Sequence, residues 1–164
     1  MQPLALRLSS ALAALLLTSA LPAAAGTAKG TIVHSGKTVT VTHAYLVTGP
    51  DVFEASKTIR KLIFSADDLG AAIEKCGDLS CTDGKVMEGM TVDLDAGPRL
   101  NYWVALSGQK IQHSDTALPE ELKATTDAPD HVAGQLAFDD KASGGPAVSI
   151  EFDAPLAKKF DKAN

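Results

Sequence analysis

The sequence predicts an all-β domain, an antiparallel β-sandwich or small barrel of about seven to nine strands with one short helix. Short stretches alternate apolar and polar residues with a period of two, which is typical of half-buried strands. Turn residues, chiefly Gly, Pro and Asp, separate these stretches at short intervals. No long helical segments alternate with them, as a parallel α/β sheet would require. Of the two architectures, the sandwich is the one we expect.

Residues 37–47 form the clearest predicted strand. Residues 31–34 precede them across Ser35 and Gly36, and Gly takes the positive φ that a tight hairpin turn requires. The resulting hairpin register pairs His34 with Lys37, Ile32 with Val39 and Gly30 with Val41. We expect one face of the second strand to point into the core and to carry Val39, Val41, His43 and Tyr45.

The next segment is predicted to run from a loop through a strand into the helix. Residues 48–57 contain a Gly-Pro-Asp turn signal, and Thr58–Ser65 read as a strand with a buried end. Ser65 and Asp68 have the spacing of a capping box, which predicts a short helix over residues 67–75. Gly77 follows and is expected to end that helix.

The second half of the chain predicts more strands. They cover residues 85–95, 99–106, 110–113, 122–126, 131–138 and 147–153. Residues 114–121 are polar and contain a Pro, so a loop or a single helical turn is expected there. The last two strands read as a second hairpin, followed by a terminal turn in which Leu156 and Phe160 cap an open end of the sheet.

The amino terminus has the pattern of a secretory signal peptide. Residues 8–21 form an apolar run, and residues 22–25 add a Pro and three small residues of the kind that signal peptidase recognises. The predicted cut lies between Ala25 and Gly26, so residues 1–25 would be removed. A membrane anchor is the alternative, but the apolar run is shorter than the ~20 residues that a spanning helix needs.

Residues 26–164 then form one domain of ordinary size, which we place in the periplasm or outside the cell. The formal net charge of the whole chain is -5, and the charges are not clustered. This argues against a nucleic-acid partner, because phosphate binding needs a concentrated basic surface. We expect a monomer with no stable membrane insertion after cleavage of the signal peptide.

Cys76 and Cys81 are the two cysteines of the chain. In an exported protein such a close pair predicts a disulfide, which would stabilise the fold by about 2 kcal/mol because the loop is short. A redox pair is the alternative, but the C-x-x-C spacing is absent. No cofactor is expected.

Three histidines are candidate metal ligands: His43, His113 and His131. A copper or zinc site would pair His43 with one of the others and would need their strand ends to converge. No H-E-x-x-H motif supports such a site. A histidine on an apolar strand face is more often hydrogen-bonded to the backbone, which is the alternative interpretation of His43.

The remaining candidates are acids and aromatic residues. Scattered carboxylates could serve a hydrolase, although no spacing selects a pair and no G-x-S-x-G motif occurs. Asn101 and Trp103 alternate out of phase with the predicted core positions of their strand, so they could form a binding patch, with Tyr45 as a third candidate. The alternative is that Trp103 lies under the helix or a loop.

Several turn and strand-end patterns resemble those of uncharacterised exported β-rich proteins of Gram-negative bacteria. They are Gly30-Thr31, Gly36-Lys37 and His43-Ala44-Tyr45 early in the chain, and Gly134-x-Leu136 and Phe152-Asp153-Ala154 late in it. The resemblance implies a location and a fold, but no reaction. We expect a non-catalytic binding or inhibitory module for a protein or small ligand, with a metal-binding protein and a carboxylate hydrolase as the alternatives.

Overall fold

The computed structural model describes residues 25–108 and 111–164, and it confirms the all-β class. The strands are β1 (Gly26–His34), β2 (Lys37–Pro50), β3 (Thr58–Ser65), β4 (Gly89–Asp93), β5 (Leu100–Ala105), β6 (His113–Ala117), β7 (Leu122–Ala128), β8 (His131–Asp139) and β9 (Ala147–Lys159). One short α-helix, α1 (Gly70–Glu74), and three 3-10 segments accompany them: Ser80–Lys85, Pro119–Glu121 and Lys141–Ser143. The predicted signal peptide falls almost wholly outside the described residues.

All nine strands belong to one sheet, in the order β6-β5-β4-β3-β2-β1-β9-β8-β7. The sheet curls, as contacts between strands far apart in this order show: Arg60 of β3 bonds Asp127 of the edge strand β7, and the rings of Tyr102 of β5 and Phe138 of β8 lie 5.0 Å apart. The strand pattern of the sequence favours a sandwich of two stacked sheets, whereas this single curled sheet is nearer to the small barrel, the alternative prediction. A continuous hydrogen-bonded order leaves β6 and β7 as the two edges.

The inner side of the curl holds the larger apolar core. Its fully buried members come from strands along the whole sheet and include Ile32, Val41, Leu46, Leu62, Phe64, Met90, Val104 and Val132. A second core lies on the outer side, where apolar residues of α1 and of the chain around the Ser80–Lys85 segment pack with those of β2 and β3. Tyr45, Ile63, Ile73, Leu79 and Phe160 belong to it. Apolar surface is thus buried on both faces of the central strands.

The predicted common face of β2 is wrong at its carboxyl half. Val39 and Val41 face the inner core, but Tyr45 lies in the outer core, with the His43 ring 6.4 Å from it on the same face. The change of phase falls between Val41 and Ala44, beside a register shift in the β1–β2 pairing. A bulge of this kind moves every later side chain to the opposite face, and simple alternation cannot reveal it.

The end of the chain also differs from the expected terminal turn. β9 runs antiparallel to β1 and then continues parallel to β2, where Leu156 pairs with Leu46. The pairing of β1 with β2 begins at Gly26, which lies opposite Ala44. The part of β2 after Ala44 therefore has no β1 partner on that edge, and β9 pairs with it there. Phe160 is consequently buried in the outer core.

The remaining local predictions have mixed outcomes. The hairpin pairs of β1 and β2, the bounds of β3 and the β8–β9 hairpin are confirmed. The predicted strand 85–95 begins only at Gly89, since a 3-10 segment precedes it, and the predicted loop 114–121 is partly the strand β6.

The helix is shorter than predicted and has no capping box: Ser65 Oγ accepts a bond from the Asp67 amide instead. The predicted turn at 107–109 and the strand start at Lys110 reach residues 109 and 110, outside the described residues.

Candidate functional site

Two rows of side chains cross the outer face of β3, β4 and β5. Lys61, Asp93 and Asn101 are directly opposed in the register and form one row. Ile63, Thr91 and Trp103 form the next row. Directly opposed residues in an antiparallel sheet share a face, with Cβ atoms ~5 Å apart. The strand pairing therefore brings the two predicted residues Asn101 and Trp103 beside a lysine and an aspartate.

A cavity of about 280 Å³ opens at this place. We call it the Lys61 cavity, and its polar and aromatic lining comes from Asp51, Phe53, Lys61, Ser80, Asp83, Asp93, Asn101 and Trp103. Its size approaches that of common small-ligand sites. A larger groove of about 650 Å³ on β1, β7, β8 and β9 is more open and lined mainly by exposed polar residues. Unlike this groove, the Lys61 cavity joins buried charges to an aromatic wall.

Lys61 is buried at the centre of the charged part of the cavity. Its ammonium lies 2.6 Å from Asp83 Oδ1 and 3.6 Å from Asp93 Oδ1. It also lies 5.7 Å from the centre of the Trp103 ring, within cation–π range. A buried ammonium needs such partners, because the loss of water around the charge is costly.

Asp83 reaches Lys61 because the chain around it is pinned. It lies in the 3-10 segment Ser80–Lys85, two residues after Cys81, and the predicted Cys76–Cys81 disulfide is present. The amide of Cys81 and the hydroxyl of Ser80 donate to the Asp78 carboxylate, which closes the same turn. The disulfide therefore helps to fix the 3-10 segment that carries Asp83 into the cavity wall.

Asp93 is the carboxylate with unmet hydrogen-bonding capacity. Burial is the main reason that its pKa is raised to about 6, and nearby Lys61 opposes that rise. Its Oδ1 atom has no hydrogen-bond partner among the described residues, since the Lys61 ammonium is too distant for a hydrogen bond. Thr91 Oγ1, two residues earlier on the same face, is also buried without a partner. Of these two residues only Asp93 lines the cavity, so the wall offers one carboxylate to a donor.

The loop between β2 and β3 forms the rim. Asp51 Oδ1 accepts hydrogen bonds from the amides of Phe53 and Glu54 at 2.7 and 3.2 Å, which fixes a tight turn. The turn holds Phe53 99% exposed and Val52 54% exposed. Two exposed apolar side chains beside a cavity are a common mark of a binding surface.

Tyr45, the third predicted binding residue, is elsewhere. Its ring is fully buried, and its hydroxyl donates to Asp68 Oδ1 at 2.6 Å and accepts from the Leu69 amide at 2.8 Å. Burial is the main reason that the pKa of Tyr45 is raised to about 12. A fully buried ring cannot touch a partner, so Tyr45 holds the start of α1 against β2 and is not part of the Asn101–Trp103 surface.

The three predicted metal ligands have separate neighbours. His43 Nδ1 lies 2.9 Å from Thr42 Oγ1, and His131 Nε2 lies 2.9 Å from Asp153 Oδ1. The His113 ring is instead 5.0 Å from that of His34. In the described part of the chain, no three His, Cys, Asp or Glu side chains are grouped to hold a metal ion.

Sequence reasoning missed Lys61, Asp83 and Asp51 as parts of the site. The signal for Lys61 was its phase: it alternates with Ile59 and Ile63, which are outer-core residues. A lysine at an apolar position of a strand indicates a buried charge with a partner.

Comparison with family models, with curated proteins and with solved structures finds no match for this chain or its fold. No helix within residues 25–108 and 111–164 is long and apolar enough to cross a bilayer. The site is therefore interpreted from its own geometry.

Proposed function

We propose that this protein is an exported, non-catalytic binding module that takes a ligand, or a side chain of a protein partner, into the Lys61 cavity. The observation that carries the proposal is the buried Asp93 carboxylate, which has an oxygen without a hydrogen-bond partner in a cavity walled by Trp103. A buried polar group without a partner is costly, so such a group in a native protein calls for an explanation. A bound ligand that donates to Asp93 supplies one.

Export rests on the signal-peptide pattern of residues 1–25 and is supported by two further observations. The Cys76–Cys81 disulfide is typical of oxidising compartments. β1 begins at Gly26, directly after the predicted cleavage point. The mass of the mature protein from the culture fluid or periplasm tests this part, since cleavage at Ala25 leaves Gly26 as the first residue.

A carboxylate hydrolase is the second candidate, because Asp83 and Asp93 flank one cavity and the pKa of Asp93 is raised to about 6. A catalytic pair must leave room for the bond between its two carboxyl groups. Here the Lys61 ammonium occupies that room and contacts both acids. This arrangement favours binding over hydrolysis.

The test is a ligand screen read by nuclear magnetic resonance on ¹⁵N-labelled mature protein. Pools of peptides, amines and oligosaccharides are added, and we expect at least one pool to shift the amide signals of Lys61, Asp93 and Trp103. Trp103 is the only tryptophan, so its fluorescence gives a second readout. Inspection of the recovered pools for new products distinguishes a hydrolase from a binding module.

The variant that tests the site is Asn101→Ala, which alters the cavity wall without removing a buried charge. We expect it to weaken binding of any pool member that shifts the cavity signals. Pools that shift only signals outside the cavity, or no pool that shifts any signal at millimolar concentration, would contradict the proposed function.

A further inference from the structure

We infer that the ligand of the Lys61 cavity presents a guanidinium group, as an arginine side chain of a partner peptide does. This inference rests on the proposed function and names the chemistry of its ligand. Three observations carry it: the balance of charge in the cavity, the unmet hydrogen bond of Asp93 in its wall, and the aromatic ring beside them.

The charge of the lining is unbalanced. Three carboxylates, Asp51, Asp83 and Asp93, face a single ammonium, that of Lys61. With all four groups ionised, the cavity has a formal excess of two negative charges. Charges held in a partly buried cavity are screened less than those on an open surface. An incoming cation would be attracted, and an anion repelled.

The hydrogen bonds of the wall point to a donor-rich group. Asp51 Oδ1 is used by the rim amides and Asp83 Oδ1 by Lys61, whereas Asp93 Oδ1 has no hydrogen-bond partner in the part of the chain described. A guanidinium has five N–H donors in a fixed plane and no acceptor. It can therefore donate to the Asp93 carboxylate, and charged hydrogen bonds of this kind are about twice as strong as neutral ones.

The aromatic side chains complete the match. Trp103 is partly buried in the wall and already lies in cation–π range of one cation, Lys61. Arginine stacks on aromatic faces more readily than lysine, because its group is planar and weakly hydrated. The exposed Phe53 and Val52 on the rim would contact the aliphatic stem or the neighbouring residues of the peptide. A neutral sugar could stack on Trp103 but would not use the excess negative charge.

The experiment compares a cation with its neutral analogue of the same shape. N-acetylarginine amide and N-acetylcitrulline amide are titrated into the mature protein, and binding is followed by Trp103 fluorescence, with maltotriose as the neutral sugar. We expect the arginine compound to bind at least about tenfold more tightly than the citrulline compound, because one charged hydrogen bond is at stake. We also expect its binding to weaken as pH falls below about 6, where Asp93 becomes protonated.

Two variants of equal net charge locate the site. Asp93→Asn is expected to weaken arginine binding by about tenfold or more. Asp139→Asn removes an exposed acid that pairs with Lys141 outside the cavity, and it should leave binding unchanged. Circular dichroism spectra are recorded to check that both variants are folded. Asp83→Asn is a second cavity variant, and it should also weaken arginine binding.

The outcomes separate the two levels of the proposal. Equal binding of the arginine and citrulline compounds, or equal losses in the Asp93 and Asp139 variants, overturns the guanidinium inference. Binding of maltotriose alone, with shifts of the cavity signals, also overturns it but leaves the proposed function standing. The absence of any cavity ligand in the full screen overturns both.

Discussion

Lys61 and Asp93 lie directly opposite each other in the β3–β4 register, with the lysine ammonium 3.6 Å from Asp93 Oδ1. The two charges are close enough to attract but too far apart for a hydrogen bond. The shorter bond of Lys61 goes to Asp83, which the disulfide-pinned 3-10 segment places over the sheet. Asp93 therefore keeps a partly compensated charge and an unused acceptor at the wall of the cavity.

This geometry predicts how stability depends on pH. The pKa of Asp93 is raised to about 6 from its ordinary 3.8, so the folded protein binds a proton more tightly at this site than the unfolded chain does. The contribution is favourable below about pH 4 and is lost as pH rises through 6. Relative to Asp93→Asn, the wild-type protein should lose about 2 to 3 kcal/mol of unfolding free energy between pH 4 and 7.

Urea denaturation of both proteins at pH 4, 5, 6 and 7 measures this loss. The comparison removes the contribution of most other titrating groups to the pH dependence, because the two proteins differ at one side chain. A stability difference that stays constant over this range, or a carboxyl titration of Asp93 near 4 by nuclear magnetic resonance, would show that burial does not control the pKa of Asp93.

Arg60 links β3, an inner strand of the curled sheet, to the edge strand β7. Its guanidinium binds both oxygens of Asp95 at 2.7 and 3.0 Å, and it also bonds Asp127 of β7. We expect Arg60→Met to lower the unfolding free energy by about 2 kcal/mol, because partly buried charged hydrogen bonds are lost. Arg99→Met is the matched control, since Arg99 is exposed and bonds Thr116, and its cost should be below about 0.5 kcal/mol. Equal losses of stability for the two variants in thermal denaturation would show that the bonds of Arg60 to Asp95 and to Asp127 of β7 do not stabilise the sheet.

The Tyr45 hydroxyl links β2 to the start of α1. In Tyr45→Phe the buried amide of Leu69 loses its acceptor, so we expect a cost of about 1 to 3 kcal/mol. Tyr102→Phe is the comparison, because the Tyr102 hydroxyl donates to the Asp140 carboxylate. Its removal leaves no backbone amide of the described residues without an acceptor. Urea denaturation of both variants should give the larger loss for Tyr45. A cost for Tyr45→Phe that is no greater than that for Tyr102→Phe would contradict the prediction.

Gly134 is required where β8 meets β7. Its φ is +151°, and a Cβ there would lie 2.2 Å from the backbone oxygen of Lys123. The register of the two strands shifts at this point, between Ala124 and Thr126. Gly134→Ala should therefore cost about 2 kcal/mol or more, since backbone atoms must move.

Gly97→Ala is the control for that variant. A Cβ at Gly97 meets nothing within 4 Å, so its effect on the melting temperature should be small. If Gly134→Ala melts within a degree or so of Gly97→Ala, the close approach of β7 and β8 does not limit this position.

Local patterns predicted a large part of the fold. The β1–β2 hairpin could be placed residue by residue, because a two-residue turn leaves only one register for its strands. The disulfide followed from the spacing of Cys76 and Cys81. The phase of β2 beyond Val41 could not be predicted, because the bulge depends on how β1, β3 and β9 meet that strand.

The site shows the same division. Asn101 and Trp103 were identified from alternation within β5, yet Lys61 and Asp83, which give the cavity its charge, are 40 and 18 residues before Asn101. Their meeting requires the β3–β4–β5 pairing and the 3-10 segment that covers it. No periodicity within one strand carries that information.

The sequence by itself determined the class of fold, the positions of most strands and the disulfide, because backbone alternation, turn chemistry and short cysteine spacing act over a few residues. Tertiary structure decided that the strands form one curled sheet, that β9 completes the edge of β2, and that a lysine and two aspartates share a cavity with Trp103. These features depend on contacts between distant residues, whose free energy is gained only when the whole sheet has formed.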